Sequence, residues 1–407
     1  MDDRKLRRID ALITDYLRGR TSRRHLVKTA TRLGGLGLVA TALAPEMRPA
    51  FAAPRLRGAA VARAQNDRQP ITDMTTDELL AFYDAVLPFR DRLPMEAGEI
   101  GGSPIKIGFS QTGFNHPWRV EMIKSAQAEV ARHPNVSLVI TDGNVDIRKQ
   151  NNDIDDLLAQ EVDAIVMSPV ESAGLAPAAL KVMTAGKPIV LLDRDVEVGK
   201  TLFIGQSNVT MAKGVGDVMV SMLGGQGKVV ELTGLIGSSP AIDRQKGMKE
   251  ALQAASGIEV IATGDAEWIR DPAVKLMDDF LVAHEEINGV FSHAEESSWG
   301  AQFSIARANR CDGNILHFTH DASNAGFQSV KDGLFAADGN YSPFIGDVGV
   351  RAALMALQGQ AIPDQEEYEF EGWLYRLPDL PVVTAENADE WLGRGWGDFA
   401  PPADPCA

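Results

Sequence analysis

The chain has 407 residues, 44% hydrophobic and 24% charged, with a mean hydropathy of -0.11. That is ordinary globular composition, with room for two or three domains. A formal net charge of -16 argues against a broad basic surface for nucleic acid.

The charge is uneven along the chain. Residues 1–52 hold eleven Lys+Arg against five Asp+Glu, a net of +6, which leaves -22 for the remainder. The basic start reads as an export signal. Thr21-Ser22-Arg23-Arg24-His25-Leu26-Val27-Lys28 resembles the twin-arginine pattern, and a Gly-containing apolar stretch follows from Leu33 to Leu43. That stretch is far short of the roughly 20 residues needed to span a bilayer. Ala50-Phe51-Ala52 and Ala62-Arg63-Ala64 each offer a small-x-small cleavage site. Residues 1–52 are therefore read as a twin-arginine-type signal peptide, and 53–103 as a linker rich in Pro, Gly, Arg and Ala. The linker carries one amphipathic helix at 75–87. Thr75, Thr76 and Asp77 suit its cap, and Leu79, Phe82, Val86 and Leu87 share one face. Cys311 and Cys406 are the two cysteines; a disulfide between them and a pair of free thiols both remain open.

From Pro104 short aliphatic runs alternate with helical periodicity. Strands are predicted at Ile105–Ser110, Ser137–Asp142, Ala164–Ser168, Ile189–Asp193, Lys228–Thr233, Glu259–Gly264, Gly289–His293 and Ile315–Thr319. Helices fill intervals such as Trp118–Arg132, Ile147–Gln160 and Met211–Leu223. This alternation predicts an α/β fold of parallel sheets with right-handed crossovers. An extra segment, Phe203-Ile204-Gly205-Gln206-Ser207-Asn208, interrupts it and divides the strands into two sheets of one architecture.

Ligands bind at the carboxyl ends of buried parallel strands. Ile189-Val190-Leu191-Leu192 ends in Asp193 and Arg194, two acceptors beside a rigid donor fork, which complement neighbouring hydroxyls on a sugar. After the first strand come His116, Trp118 and Arg119, and Trp118 can stack on the C–H face of a sugar with its indole N–H available. The strand Val229–Thr233 leads to a Gly/Ser-rich loop, Gly234–Pro240, followed by Arg244. Such a loop can cradle a phosphate, but it lacks both nucleotide-binding glycine fingerprints. Trp268 and Arg270, Asp321, and Asn340-Tyr341 close later strands. No His-Glu-x-x-His zinc spacing and no Gly-x-Ser-x-Gly elbow occurs, and adjacent Glu295-Glu296 poorly suit a glycosidase pair. They suit a helix N-terminus.

From Ile105 to about Leu392 the chain resembles the ribose-type periplasmic sugar-binding proteins of ATP-driven importers, close to the galactofuranose-binding branch. The resemblance rests on Ile107-Gly108-Phe109-Ser110-Gln111 with Trp118-Arg119, on Leu191-Leu192-Asp193-Arg194, and on Val230–Gly234 leading to Ala241–Gly247. It implies two Rossmann-like lobes with parallel sheets joined by a three-strand hinge, the type 1 periplasmic binding protein fold. The N-terminal lobe is expected at 104–206 plus 342–384 and the C-terminal lobe at 207–341 plus 385–407.

The resemblance further implies a monosaccharide ligand and an ABC transporter membrane permease as partner. No cofactor, catalytic residue, metal or nucleic acid is implied; the protein is expected to be an exported monomer in the periplasm or at the cell-envelope exterior. The alternatives are a LacI-type repressor, which shares this lobe architecture but is opposed by the lack of a helix-turn-helix before Ile105 and by the export signal, a sensor for a membrane receptor kinase, and a sugar-modifying enzyme. By position, the ligand contacts fall on Trp118, Arg119, Asp193, Arg194, Arg244, Trp268, Asp321 and Asn340 or Tyr341. Two departures bear on ligand choice. Ala294-Glu295-Glu296 stands where many relatives carry an Asn-Asp pair, and His116 stands where ribose binders carry Asn, so His116 and Glu295 join the candidate set.

Overall fold

The aliphatic runs form two separate sheets in the computed structural model. The first has seven strands: β1 (Ile105–Gln111), β2 (Val136–Asp142), β3 (Ala164–Met167), β4 (Ile189–Leu192), β5 (Leu202–Gly205), β11 (Glu366–Glu367) and β12 (Trp373–Arg376). Its order is β2-β1-β3-β4-β5-β12-β11, parallel except for the β11–β12 pair. The second has β6 (Gln226–Thr233), β7 (Gly257–Asp265), β8 (Gly289–Ser292), β9 (Leu316–His320) and β10 (Ala337–Gly339), in the order β7-β6-β8-β9-β10 and parallel throughout. Both sheets thus share one winding, 2-1-3-4-5, whose switch point lies beside the first strand of each. The residues described are 74–86, 93, 95–311, 315–363, 365–368, 370 and 372–407, all within the unit Asn66–Ala407. The export signal, both cleavage sites and Leu87 lie outside them.

Helices follow the strands because their caps are written locally. The helix α1 (Thr76–Val86) opens on a reciprocal capping box: Glu78 N–H donates to Thr75 Oγ1 at 3.3 Å, and Thr75 N–H to Glu78 Oε2 at 2.9 Å. It packs on the main body, but its buried face centres on Leu80 and Tyr83, with Leu79 and Phe82 only partly covered. Tyr83 stacks on Phe344 at 4.2 Å between ring centroids. The helix α2 (Pro117–Val130) begins with His116 as cap, its Nδ1 accepting from Trp118 N–H at 3.2 Å, and Pro117 in the first turn. Crossovers α3 (Ile147–Ala159) and α4 (Ser172–Thr184) complete the windings of the first sheet. The second sheet uses α5 (Asn208–Met222), α6 (Ser239–Leu252), α7 (Arg270–Ala283), α8 (Glu295–Arg307) and α9 (Asn324–Lys331). The helix α10 (Gly346–Leu357) returns to pack against α2, β3 and β4, and a short α11 (Ala388–Trp391) packs on α9.

The chain passes between the sheets three times, at Gln206-Ser207, at Asn340–Ile345 and at Leu377–Val383. One side chain ties these crossings together. Gln206 Nε2 donates to Asn340 O at 3.4 Å and to Pro378 O at 3.2 Å, while its Oε1 accepts from Ser342 N–H at 3.3 Å. Leu377 N–H extends the β12–β5 ladder onto Gly205 O, and Asp338 and Val383 exchange backbone bonds at 2.8 Å. Cys311 and Cys406 form a disulfide across 95 residues, which fixes the chain end to the loop after α8.

Candidate functional site

The strand ends of both sheets converge on one small cavity, lined by His116, Trp118, Arg119, Asp193, Arg194, Pro240, Arg244, Trp268, Asp321 and Tyr341. Three lining residues hold left-handed backbone: Asp193 at φ +64°, Trp268 at +71° and Asp321 at +131°. Such conformations cost on the order of 1–3 kcal/mol each and cluster at sites whose side chains must be aimed.

The first sheet supplies an aromatic wall and a charged pair. Trp118 stacks on Tyr341, with centroids 5.6 Å apart and planes at 19°. Its indole N–H donates to Tyr341 O at 3.1 Å, so it is not available to a ligand, contrary to the sequence expectation. The Tyr341 hydroxyl donates to Asp193 Oδ1 at 2.8 Å. Arg194 Nε lies 3.5 Å from Asp193 Oδ2, and its Nη1 donates to Val170 O at 2.9 Å. Arg119 Nη1 donates to Asn115 Oδ1 at 2.7 Å. Burial lowers the pKa of Arg194, and that of Arg119 to about 9.

Arg244, from α6, dominates the opposite side. Its Nε donates to Asn208 Oδ1 at 2.9 Å, and its Nη1 to Asp321 Oδ1 at 3.1 Å and to His293 O. Its guanidinium lies over Trp268 and Tyr341, 5.2 and 5.1 Å from the ring centroids. Arg194 reaches the same Trp268 ring from the first sheet at 5.6 Å. Gly234 seats that ring: a Cβ there would collide with it. The Trp268 indole N–H is buried without a hydrogen-bond partner among the described residues, which makes it the indole available for a ligand. Burial raises Asp321 to about 7 despite Arg244. His116 Nε2 sits 4.0 Å from Asp321 Oδ2, and burial with the nearby arginines lowers this imidazole to about 3, so it is neutral.

Two candidates fall outside the lining. Glu295 turns away from the cavity: its Oε1 accepts from Ser323 N–H at 2.7 Å, its Oε2 takes the Ser323 hydroxyl, and Asp338 lies beside it. Burial and that second carboxylate raise its pKa well above the usual range. Its neighbour Glu296 points elsewhere, to a two-pronged pair with Arg270 at 3.0 and 3.1 Å. Asn340 stays in the second crossing, with Nδ2 buried and unpartnered among the described residues. Sequence reasoning missed Pro240, Asn208 and Gln206, whose positions between predicted elements gave no periodic signal.

The Gly/Ser-rich loop meets the first lobe. Ser172 N–H donates to Gly237 O at 3.1 Å, and Asp195 N–H donates to Ser239 Oγ at 2.9 Å. Leu235 packs on the apolar cluster of the first lobe that includes Val170 and Leu175. Asp195 is held in turn by Lys200 at 2.9 Å and by the Tyr368 hydroxyl at 2.6 Å.

Two similarly wound α/β lobes, three crossings and a charged cavity at facing strand ends define a type 1 periplasmic binding protein fold. The chain belongs to the family described as periplasmic binding protein domain, which matches residues 107–361. It is 31% identical over 293 residues to the galactofuranose-binding protein of Escherichia coli (strain K12), across 69% of this chain and 86% of that one. Among solved structures it is similar to the periplasmic binding protein component of the arabinose ABC transporter from Shewanella sp. ANA-3, bound to L-arabinofuranose. There the TM-score is 0.64 and identity 25%, covering 71% of this chain and 95% of that one. The fructose-binding periplasmic domain of a hybrid two-component system gives a TM-score of 0.65 at 29% identity, covering 71% and 93%. These relatives are named for binding, not for turnover.

Proposed function

We propose that this chain captures a monosaccharide, a furanose or a related sugar, between its two lobes and delivers it to the membrane permease of an ABC transporter. One observation carries the reading: aromatic faces, two carboxylates and three guanidiniums from both lobes converge on one cavity. Such a lining packs against the C–H faces of a sugar and hydrogen-bonds its hydroxyls. Because the groups come from both lobes, the ligand contacts are complete only when the lobes are closed, which is the differential affinity that drives closure. The contacts are assigned to His116, Trp118, Arg119, Asp193, Arg194, Arg244, Trp268, Asp321 and Tyr341. The lobes comprise 104–206 with 342–384, and 207–341 with 385–407. The protein acts as an exported monomer without catalysis, sent out by the Arg23-Arg24 signal; the disulfide suits an oxidising compartment.

Mass spectrometry of ligand carried through purification, with thermal shifts against D-ribose, L-arabinose, D-fructose, D-galactose and myo-inositol, tests the reading. Binding of one sugar without turnover supports it. Absence of any bound or stabilising sugar, or conversion of the sugar, overturns it. A second reading, sugar sensing for a membrane receptor kinase, is supported by the likeness to the fructose-binding domain. Capture of a permease or of a kinase by the sugar-loaded protein separates the two. Loss of reporter export in Arg23→Lys/Arg24→Lys tests the signal.

A further inference from the structure

The loop from β4 to β5 carries Asp195 and Lys200, a buried charge pair that does not line the cavity. Lys200 Nζ lies 2.9 Å from Asp195 Oδ1 and donates to Val196 O at 2.8 Å. The ammonium sits over the ring of Tyr368, 4.4 Å from its centroid, with Phe370 at 5.6 Å. Tyr368 gives its phenol proton to Asp195 Oδ2 at 2.6 Å. Both rings come from the turn between β11 and β12, which seats closely on Lys200: a Cβ at Gly372, at φ +112°, would strike Lys200 O. With its carboxylate held at both oxygens, Asp195 has a fixed main chain. Its carbonyl accepts from Ser172 Oγ at 2.7 Å in the first lobe, and its N–H donates at 2.9 Å to Ser239 Oγ, at the start of α6 in the second. The neighbouring bond, Ser172 N–H to Gly237 O, also crosses between the lobes. Gly237 stands at φ +86°, where a Cβ would meet the Glu171 carboxylate.

We infer that Lys200 and Tyr368 are positioning residues for closure: they lock Asp195 so that its N–H meets Ser239 when the lobes come together, a latch separate from the ligand contacts. The inference rests on the proposed sugar-capture reading. The bond to Ser239 joins the lobes and exists only while they are together. The cluster behind it lies within the first lobe and needs nothing from the second. Asp195 is therefore ordered before closure and loses little freedom in making the bond. A buried ammonium is costly unless it is paired and hydrogen-bonded. Here a carboxylate, a carbonyl and two ring faces meet that need at the point where the loop must be rigid. Because the latch forms after the ligand has entered, it slows release and leaves entry unchanged.

The test is a double-mutant cycle. Ser239→Ala, Tyr368→Phe, Lys200→Met and Ser239→Ala/Tyr368→Phe are compared by stopped-flow binding of D-ribose and of L-arabinose, after thermal melts show that each is folded. Tyr368→Phe keeps the ring and removes only the bond to Asp195, so it carries the test if Lys200→Met fails to fold. Tyr368→Phe should speed release about threefold and leave the association rate within about 1.5-fold; Lys200→Met should speed release at least as much. In the Ser239→Ala background, Tyr368→Phe should alter release by less than about 1.5-fold. A role confined to the shape of the first lobe, or to the aim of Arg194, gives the same acceleration in both backgrounds. Equal accelerations, or a Tyr368→Phe release rate within about 1.5-fold of the unaltered protein, overturn the inference. If the unaltered protein binds neither sugar, the choice of these ligands fails and amide exchange of the unloaded protein decides the latch. Asp195 N–H should then exchange several-fold faster in Ser239→Ala and in Tyr368→Phe, with no further gain in the double variant. An unchanged rate in either single variant, or additive gains, overturns it.

Discussion

Asp321 brings to the cavity wall a carboxyl that titrates near neutrality. Burial holds it at about 7, and His116, 4.0 Å away, is neutral through the same pH range. A sugar hydroxyl donating to Asp321 favours the ionised form, so binding tightens as pH rises through 7 and weakens below it. At pH 5.5 about 3% of such a carboxyl is ionised, against about 90% at pH 8. Affinity should therefore fall roughly 30-fold between the two, about 2 kcal/mol. The fold responds in the opposite sense. A carboxyl raised from 3.8 to about 7 on folding contributes stability that is complete below 3.8 and lost as pH climbs through 7. The ligand-free protein thus loses this contribution over the window in which sugar binding improves. Calorimetric titration from pH 5.5 to 8.5, with the best sugar of the panel, reads the first effect, and Asp321→Asn is its reference. The amide cannot ionise, so its affinity should be flat across the window. Asp338, also at about 7, and Glu295 lie behind Asp321, and any slope they cause survives in Asp321→Asn. A flat profile in the unaltered protein, or the same slope in both, refutes the reasoning.

Three further outcomes are expected. Gly234→Ala should push Trp268 off its seat and weaken sugar binding about tenfold, with acrylamide quenching of Trp fluorescence reporting the more exposed indole. Ser239→Ala removes the acceptor for Asp195 N–H across the lobes; a bond of about 0.5–1.5 kcal/mol should speed sugar release several-fold in stopped-flow measurements. Cys311→Ser/Cys406→Ser should lose roughly 2–4 kcal/mol of stability in urea unfolding, and an unchanged midpoint would show that the bridge constrains little.

The strands of both sheets were legible because buried parallel strands read as unbroken aliphatic runs, and their ends named Asp193 and Asp321 as candidates. The eight predicted runs each overlap an observed strand, with ends shifted by a few residues, whereas β5 (Leu202–Gly205) falls where only an extra segment interrupting the alternation was read. Less legible were β10, whose Ala337-Asp338-Gly339 is short and polar, and β12, whose Trp373-Leu374-Tyr375-Arg376 follows a polar stretch. Neither carries the aliphatic pattern, because one ends a sheet and the other is paired through a late return of the chain. Direction was harder than position. Adjacent Glu295 and Glu296 diverge on the first turn of α8, one inward to Ser323 and one outward to Arg270, and no local pattern separates them. The indole assignment was reversed for the same reason: the partner of Trp118 lies 223 residues away, at the second crossing. Gln206 and Asn208 read as polar loop residues, since their partners are brought together only by the crossings.

The bonds made by Gln206 set the mechanics of the joint. One amide is shared among all three crossings, so a twist confined to any single strand costs bonds to the other two. The strands must bend together, as plies glued into a single leaf spring, and sliding or wobble of one lobe on the other is penalised relative to rotation about a common axis. A protein built this way has one dominant opening coordinate. Its lobes need not search many relative orientations before Arg194 and Arg244 reach the same indole.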